Sequence, residues 1–220
     1  MKREILITKD GSTTIQLVDL NEQYHSKHGA IQEAYHVFIK YGLDLFANHS
    51  KLAILEIGFG TGLNSFISYL ESTKRNLTID YTGVEAYPIS ADEFQSLNFV
   101  TELQAEKHQA IFSKMFQSTW EKAHLLDANF TLTKRKQFFA DISETDTYNL
   151  IYFDAFGARV QPELWTEAIF KLMYDALQQN GVLVTYSAKG SVRRAMQAVG
   201  FKVERLPGPV GKREMLRAVK

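Results

Sequence analysis

Cysteine is absent from the sequence. That excludes a disulfide framework, a thiolate metal site and a cysteine nucleophile. The opening residues, Met1-Lys2-Arg3-Glu4-Ile5, lack the long apolar stretch of a secretory signal. No apolar run approaches the length needed to span a membrane, so a soluble, cytoplasmic protein is expected. The six histidines show no ligand spacing, and no metal is expected. His25, His28 and His36 read as structural hydrogen-bonding groups before they read as bases. Repeats, low-complexity tracts and a domain linker are also missing. A chain of 220 residues can bury a full core and is read as one domain over residues 1–220. Net charge is lacking as well, at +0, but the charge is unevenly spread. From Lys189 to Lys220 nine Lys or Arg face two acids, a net of +7 that leaves −7 on the remainder. A basic end on a neutral chain is a candidate phosphate-backbone footprint, or simply a solvated surface.

The most informative stretch is Ile54-Leu55-Glu56-Ile57-Gly58-Phe59-Gly60-Thr61-Gly62-Leu63-Asn64. An apolar strand runs into three glycines at alternate positions and then into a helix start. Glycine allows positive φ and close backbone approach, and the helix N-terminus carries unpaired N–H groups. The pattern is that of a nucleoside-cofactor loop. A dinucleotide fingerprint has the spacing G-x-G-x-x-G. The G-x-G-x-G spacing here disfavours a dinucleotide oxidoreductase. It resembles motif I of class I S-adenosylmethionine methyltransferases, in which the cofactor is S-adenosylmethionine. A glycine-rich turn without a ligand is the plainer alternative.

Around this loop the pattern alternates strand and helix. Residues 4–18 read as a hairpin about Asp10-Gly11, and 30–47 as an amphipathic helix, making an N-terminal unit over 1–50. Strands are expected near 52–57, 79–85, 137–140, 150–153 and 182–186, with helices at 63–73 and 191–199. A helix begins at Pro162 and ends at Asn180-Gly181. Ser90-Ala91-Asp92-Glu93 is a capping box. It opens a long aromatic helical insertion, 89–125, that either covers a substrate or packs into the core. Residues 201–206 and 214–219 read as a closing antiparallel pair. The fold expected is α/β and Rossmann-like, a mostly parallel sheet with an antiparallel last strand.

In such sheets ligands sit beyond the carboxyl ends of the strands. Each of the first four expected strands has an acid there: Glu56, Glu85, Asp141 and Asp154. Glu85 is placed to accept from both ribose hydroxyls. Asp141 can accept from an adenine amine, and Glu56 can balance the cofactor's positive amino group or sulfonium.

The later blocks narrow the resemblance. Asp141-Ile142, Asp154-Ala155-Phe156 with Pro162 and Trp165, Ser187-Ala188 with Val192-Arg193-Arg194, Gly200-Phe201 and Lys212-Arg213-Glu214-Met215-Leu216 follow the glycine block in order. From about Tyr24 to Leu216 the chain resembles the methyltransferase domain of the MnmC family of tRNA wobble-uridine modification proteins. The resemblance implies methyl transfer from S-adenosylmethionine to the aminomethyl nitrogen of a wobble uridine, with tRNA as partner. It implies that Gly58, Gly60 and Gly62 shape the cofactor loop, that Glu85 holds the ribose and that Asp141 lies near the adenine; Glu56, Asn64 and Tyr24 complete the expected cofactor group. Tyr24-His25-Ser26 is expected to fold over the cofactor. Asp154 and Phe156 face the substrate, Asp154 orienting the amine and Phe156 packing on the uracil or the amine. Arg193, Arg194, Lys212 and Arg213 are the expected tRNA-backbone contacts. The family's second, flavin-dependent domain has no counterpart here, so a stand-alone methyltransferase is expected. Its Asp-Gly-Phe-Ala-Pro block is Asp154-Ala155-Phe156-Gly157-Ala158 in this chain, and a lysine expected further on falls at Val160, beside Arg159. Those departures bear on substrate choice. The rival readings are an aminopropyltransferase of the spermidine synthase type, a small-molecule N-methyltransferase, and a non-catalytic tRNA- or protein-binding module.

Overall fold

Apolar residues alternate between two faces along the central strands, and helices cover both faces. In the computed structural model, which describes residues 2–220, two sheets form. The N-terminal strands β1 (Arg3–Ile7), β2 (Thr13–Leu17) and the short β3 (Glu22–Gln23) make a three-stranded antiparallel sheet. Helix α1 (Ala30–Ala34) continues as a wider π-type turn, Tyr35–Lys40, and a 3-10 turn, Leu43–Phe46. The helix expected over 30–47 is therefore broken. Gly42, at φ −115° and ψ −82°, interrupts the run.

The main unit follows. It comprises β4 (Lys51–Ile57), α2 (Leu63–Arg75), β5 (Thr78–Val84), α3 (Ala91–Gln95), α4 (Phe99–Glu102), α5 (Gln109–Gln117), β6 (Ala123–Asp127) and β7 (Phe130–Arg135). After these come β8 (Tyr148–Phe153), α6 (Glu167–Ala176), β9 (Leu177–Thr185), α7 (Gly190–Ala198), β10 (Lys202–Pro207) and β11 (Glu214–Val219). The eight-stranded sheet has the order β10-β11-β9-β8-β4-β5-β7-β6. Strands β9, β8, β4, β5 and β7 pair in parallel, while β10, β11 and β6 are antiparallel to their neighbours.

Period-two alternation sorts the core into two layers. Leu52 and Ile54 of β4 join Leu150 and Tyr152 of β8 against α2 and the N-terminal turn. Leu55, Ile57, Ile151 and Phe153 face the other way, against α6 and α7. Helix α2 starts at Gly62, which is left-handed at φ 78°. It ends with Lys74 and Arg75 in its last turn and left-handed Asn76 at its C-cap. Cations at a helix C-terminus suit the dipole. The N-terminus of α2 accordingly faces the glycine loop.

Three further expectations are corrected. The third parallel strand is Phe130–Arg135, not 137–140. Its buried side chains Phe130, Leu132 and Lys134 alternate with Thr131, Thr133 and Arg135. Lysine in a core position hides that period. Second, the insertion is helical only as far as Gln117, after which β6 begins the hairpin β6–β7. The capping box at Ser90 is present, with Ser90 Oγ accepting from Glu93 N at 3.2 Å and Glu93 Oε2 accepting from Ser90 N at 2.6 Å. The insertion's aromatics pack inward: Phe94 stacks on Phe116 at 4.2 Å, and Phe112 meets Phe66 at 4.8 Å. Third, Asn180 and Gly181 lie inside β9 rather than at a helix end, at the register shift opposite Tyr148–Leu150. Among the described residues, no helix is long and apolar enough to cross a membrane.

Candidate active site

The sheet's strand order reverses between β8 and β4, and a cavity of about 960 Å³ opens at the carboxyl ends of the strands there. This is where open α/β sheets bind ligands. The glycine loop forms its floor. Gly58 has φ +90°, and a Cβ there would lie 2.6 Å from the carbonyl oxygen of Asp154. Gly60 has φ +49°, and a Cβ there would lie 3.0 Å from the Tyr24 ring. Only glycine at position 58 lets the ends of β4 and β8 approach this closely, and a side chain at position 60 would push Tyr24 off the loop by a few tenths of an ångström. Tyr24 also meets Phe156 edge-on at 5.1 Å. His25 beside it bridges Thr14 and Thr61, at 3.1 and 3.2 Å. Burial holds its imidazole down at about 4, which keeps it neutral and structural.

Three strand-end acids line the cavity: Glu56, Glu85 and Asp154. Glu85 follows β5 and is held by backbone donors, Gly60 N at 3.0 Å and Tyr87 N at 2.9 Å. Each oxygen keeps a lone pair for a ligand hydroxyl. Glu56 is 1% exposed and accepts from Tyr81 Oη at 2.8 Å and Asn64 Nδ2 at 2.9 Å. Its carboxyl is raised well above the ordinary range, first by burial, against the hydrogen bond from Asn64. The other Asn64 amide hydrogen goes to Asp154 Oδ2 at 2.8 Å. Asn64 therefore ties the ends of β4 and β8 together. Burial and the like charge of Glu33 push Asp154 up from 3.8 to about 7, opposed by Asn64 and Lys212. A carboxyl poised there can accept a proton near neutral pH.

Asp141 stands apart. It lies in a 3-10 turn, Phe139–Asp141, six residues past the end of β7. Its side chain is exposed, and the cavity is lined instead by Phe138, Phe139 and Ala140 beside it. With the strand at Phe130–Arg135 rather than 137–140, Asp141 is not a strand-end acid.

The basic segment is also rearranged. Four of its nine cations are paired: Lys212 with Glu33 at 2.7 Å, Arg205 with Glu214 at 3.4 Å, Arg217 with Glu204 at 2.7 Å and Lys220 with Asp146 at 2.8 Å. Arg194 and Arg213 are exposed and form no ion pair among the described residues. Arg193 is partly buried, and its Nε has no hydrogen-bond partner. Lys212 lines the cavity, with Nζ 3.8 Å from the centre of the Tyr186 ring. Glu33 and Tyr186 carry no sequence signal for a site. Glu33 reads as the polar face of a helix, and Tyr186 as the end of a strand. The block Lys212-Arg213-Glu214 is visible in the sequence, but not its place inside the cavity.

The parallel sheet, its switch point, the glycine loop and the acid after β5 are the fold of class I S-adenosylmethionine-dependent methyltransferases. A model of the family described as "S-adenosyl-L-methionine-dependent methyltransferase" matches residues 140–220. More particular is the likeness to MnmC. The tRNA 5-methylaminomethyl-2-thiouridine biosynthesis bifunctional protein MnmC of Hydrogenovibrio crunogenus is 26% identical over 226 residues, covering 97% of this chain and 33% of that protein. Its counterpart from Azoarcus is 28% identical over 211 residues, covering 88% of this chain and 32% of that protein. The chain thus spans about a third of the length of these curated relatives. The crystal structure of MnmC2 from Aquifex aeolicus superposes with a TM-score of 0.82 at 26% identity, over 99% of this chain and 69% of that one. Spermidine synthase from Thermotoga maritima superposes at 0.59 with 13% identity, covering 99% of this chain and 68% of that one, a likeness of fold.

The residues present suit S-adenosylmethionine. The glycine loop lines the cavity without side chains at Gly58 and Gly60, Glu85 offers two acceptors, and the cavity can hold a nucleoside with a second group beside it.

Proposed function

We propose that this chain methylates the primary amine of an aminomethyl group on the wobble uridine of tRNA, in the cytoplasm, using S-adenosylmethionine. The observation that carries the reading is Asp154. It sits at the end of β8, held by Asn64 and raised to about 7, in the same cavity as the glycine loop. The similarity to MnmC supports the choice of acceptor.

When bound, S-adenosylmethionine supplies an electrophilic methyl group. The protein's part is to hold an amine nitrogen in line with it and to manage one proton. Glu85 and the loop Gly58–Gly62 fix the nucleoside end, and Tyr24 closes over the loop. Asp154 accepts a hydrogen bond from the substrate amine. That orients the nitrogen lone pair and stabilises the positive charge that develops on nitrogen as the new N–C bond forms. The carboxylate then receives the proton the methylated amine gives up. Phe156, held edge-on to Tyr24, offers a flat face to the base. Much of the rate comes from alignment.

A diamine acceptor is the second reading. What favours it is the acid content of the cavity, where Glu22, Glu33 and Glu163 join Asp154. Nucleoside mass spectrometry of tRNA from a strain lacking this chain separates the two. Accumulated 5-aminomethyl-type uridines are expected. An unchanged nucleoside profile would sink the tRNA reading.

A further inference from the structure

The cavity around Asp154 is furnished with acceptors. Glu22, Glu33, Glu163 and Asp154 all line it and can donate nothing when ionised. Among the described residues two charged donors line the cavity, Arg3 and Lys212. Arg3 is engaged at the far end, with Glu93 at 3.1 Å and the carbonyl oxygen of Tyr87 at 3.0 Å. Lys212 is the charged donor near Asp154.

Its position is fixed from several sides. Backbone bonds from Lys212 N to Pro209 O, 2.8 Å, and from Gly208 N to Arg213 O, 3.1 Å, close the turn between β10 and β11. The Nζ donates to Glu33 Oε1 at 2.7 Å, and Glu33 Oε2 accepts from Ser26 N at 3.0 Å. The ammonium lies over the Tyr186 ring at 3.8 Å, and the Tyr186 hydroxyl is tied to Ala155 O at 2.8 Å. A lysine ammonium has three N–H donors. Glu33 takes one and the ring face takes a second. The third is left for a ligand in the cavity. A cation held this firmly, near enough to act on the charge of Asp154, is poorly placed to sweep the phosphate backbone outside.

We propose that Lys212 is a substrate-contacting residue that donates to a carbonyl oxygen on the ring bearing the target amine. A uracil substituted at C5 carries a carbonyl at C4, on the carbon next to the one that bears the aminomethyl arm. Asp154 then accepts from the amine while Lys212 donates to the carbonyl. The pair reads an amine and a carbonyl at a set separation. A simple diamine offers no such acceptor, so Lys212 also selects against it. This rests on the function proposed above and specifies how the base is chosen.

The test compares two synthetic anticodon stem-loops. One carries 5-aminomethyluridine, the other the same nucleoside without the 4-carbonyl. Binding is measured to the protein loaded with S-adenosylhomocysteine, and methyl transfer is measured separately. Wild type should prefer the carbonyl-bearing stem-loop by about 10- to 100-fold, the range of a hydrogen bond to a charged group. Lys212→Met should lose that preference and bind both stem-loops alike, with unchanged affinity for S-adenosylhomocysteine and an unchanged salt slope. Lys212→Arg should recover part of the preference. The single variant leaves Glu33 unpaired, so Glu33→Gln/Lys212→Met is measured beside it and should likewise discriminate poorly. Equal losses on both stem-loops would overturn the proposal, and a salt slope lower by about one would assign Lys212 to a phosphate instead. Wild type that prefers the carbonyl but transfers no methyl would refute the methyltransferase reading and leave the binding role of Lys212 standing.

Discussion

Replacing Asp154 with asparagine separates chemistry from stability, because the same carboxylate should serve one and harm the other. The amide is nearly isosteric, and its oxygen can still accept from Asn64 Nδ2, which now reaches Asp154 at 2.8 Å. Loss of a positioned acid–base group should slow methyl transfer by roughly 10²-fold or more. The nucleophile is a neutral amine, so its own protonation lowers kcat/KM in both proteins as pH falls; in wild type kcat/KM should fall by a further tenfold per pH unit below about 7, where Asp154 takes up its proton. That extra fall should be missing in Asp154→Asn. The stability effect has the opposite sign. Asp154 titrates at about 7 in the fold against 3.8 ordinarily, so between these values the native state binds more protons than the unfolded chain. Wild type therefore gains stability as pH falls from about 7 to 3.8 and carries the full cost of the buried charge above 7. Taken whole, that cost is on the order of 4 kcal/mol. Asp154 is partly exposed in an open cavity, so solvent screening reduces it, and about 2 kcal/mol is expected. For a chain of this size that raises Tm of Asp154→Asn by roughly 4–8 °C near pH 8, with the gain fading in mild acid. Thermal melts and single-turnover methylation across pH read both effects. A near-wild-type rate, or a Tm lowered at every pH, would refute the reasoning.

Other outcomes follow from the same geometry. Glu85→Ala should weaken S-adenosylmethionine binding at least about tenfold, from the loss of charge-assisted hydrogen bonds, and calorimetry showing unchanged affinity in a folded variant would remove Glu85 from the cofactor site. Lys134 is 2% exposed, donates to Phe116 O at 2.6 Å and lies over Trp120 at 4.9 Å; burial holds its amine at about 8 rather than 10.5. The unfolded chain binds more protons between those values, so wild type should gain stability as pH rises from about 8 towards 10.5. Lys134→Met should be more stable near pH 7 by about 1–2 kcal/mol and show no such rise, because a buried charge is replaced by an apolar side chain of similar length; denaturant titrations at the two pH values check this. Arg194→Ala/Arg213→Ala should weaken all substrate tRNAs alike and flatten the salt slope by about two, one for each phosphate that the variant no longer neutralises; filter binding with an unchanged slope would leave these arginines as solvated surface.

The block from Ile54 to Asn64 is legible in the sequence because its chemistry is local. A continuous apolar strand, three glycines with forced φ and a helix start all lie within a dozen residues. Asp154 is legible for the same reason, standing directly after an apolar strand. The strand at Phe130–Arg135 is not, because Lys134 fills a core position through a hydrogen bond and aromatic faces supplied by Phe116 and Trp120 from the preceding insertion. That displaces Asp141 from its expected strand end. Lys212 shows the same limit at the site. Its charge and its block are visible, but its partners Glu33 and Tyr186 lie 179 and 26 residues away, and only the folded chain shows that the three meet. A basic run counted along the sequence does not reveal which of its members are already paired.

The most direct measurement is a single-turnover reaction of the purified chain with isotopically labelled S-adenosylmethionine and tRNA carrying 5-aminomethyluridine at the wobble position, followed by nucleoside mass spectrometry. The expected product is that uridine with one labelled methyl on its side-chain nitrogen, formed by wild type and lost in Asp154→Asn. Label on a ring atom or on another nucleoside, or transfer to a diamine in preference to the tRNA, would contradict it.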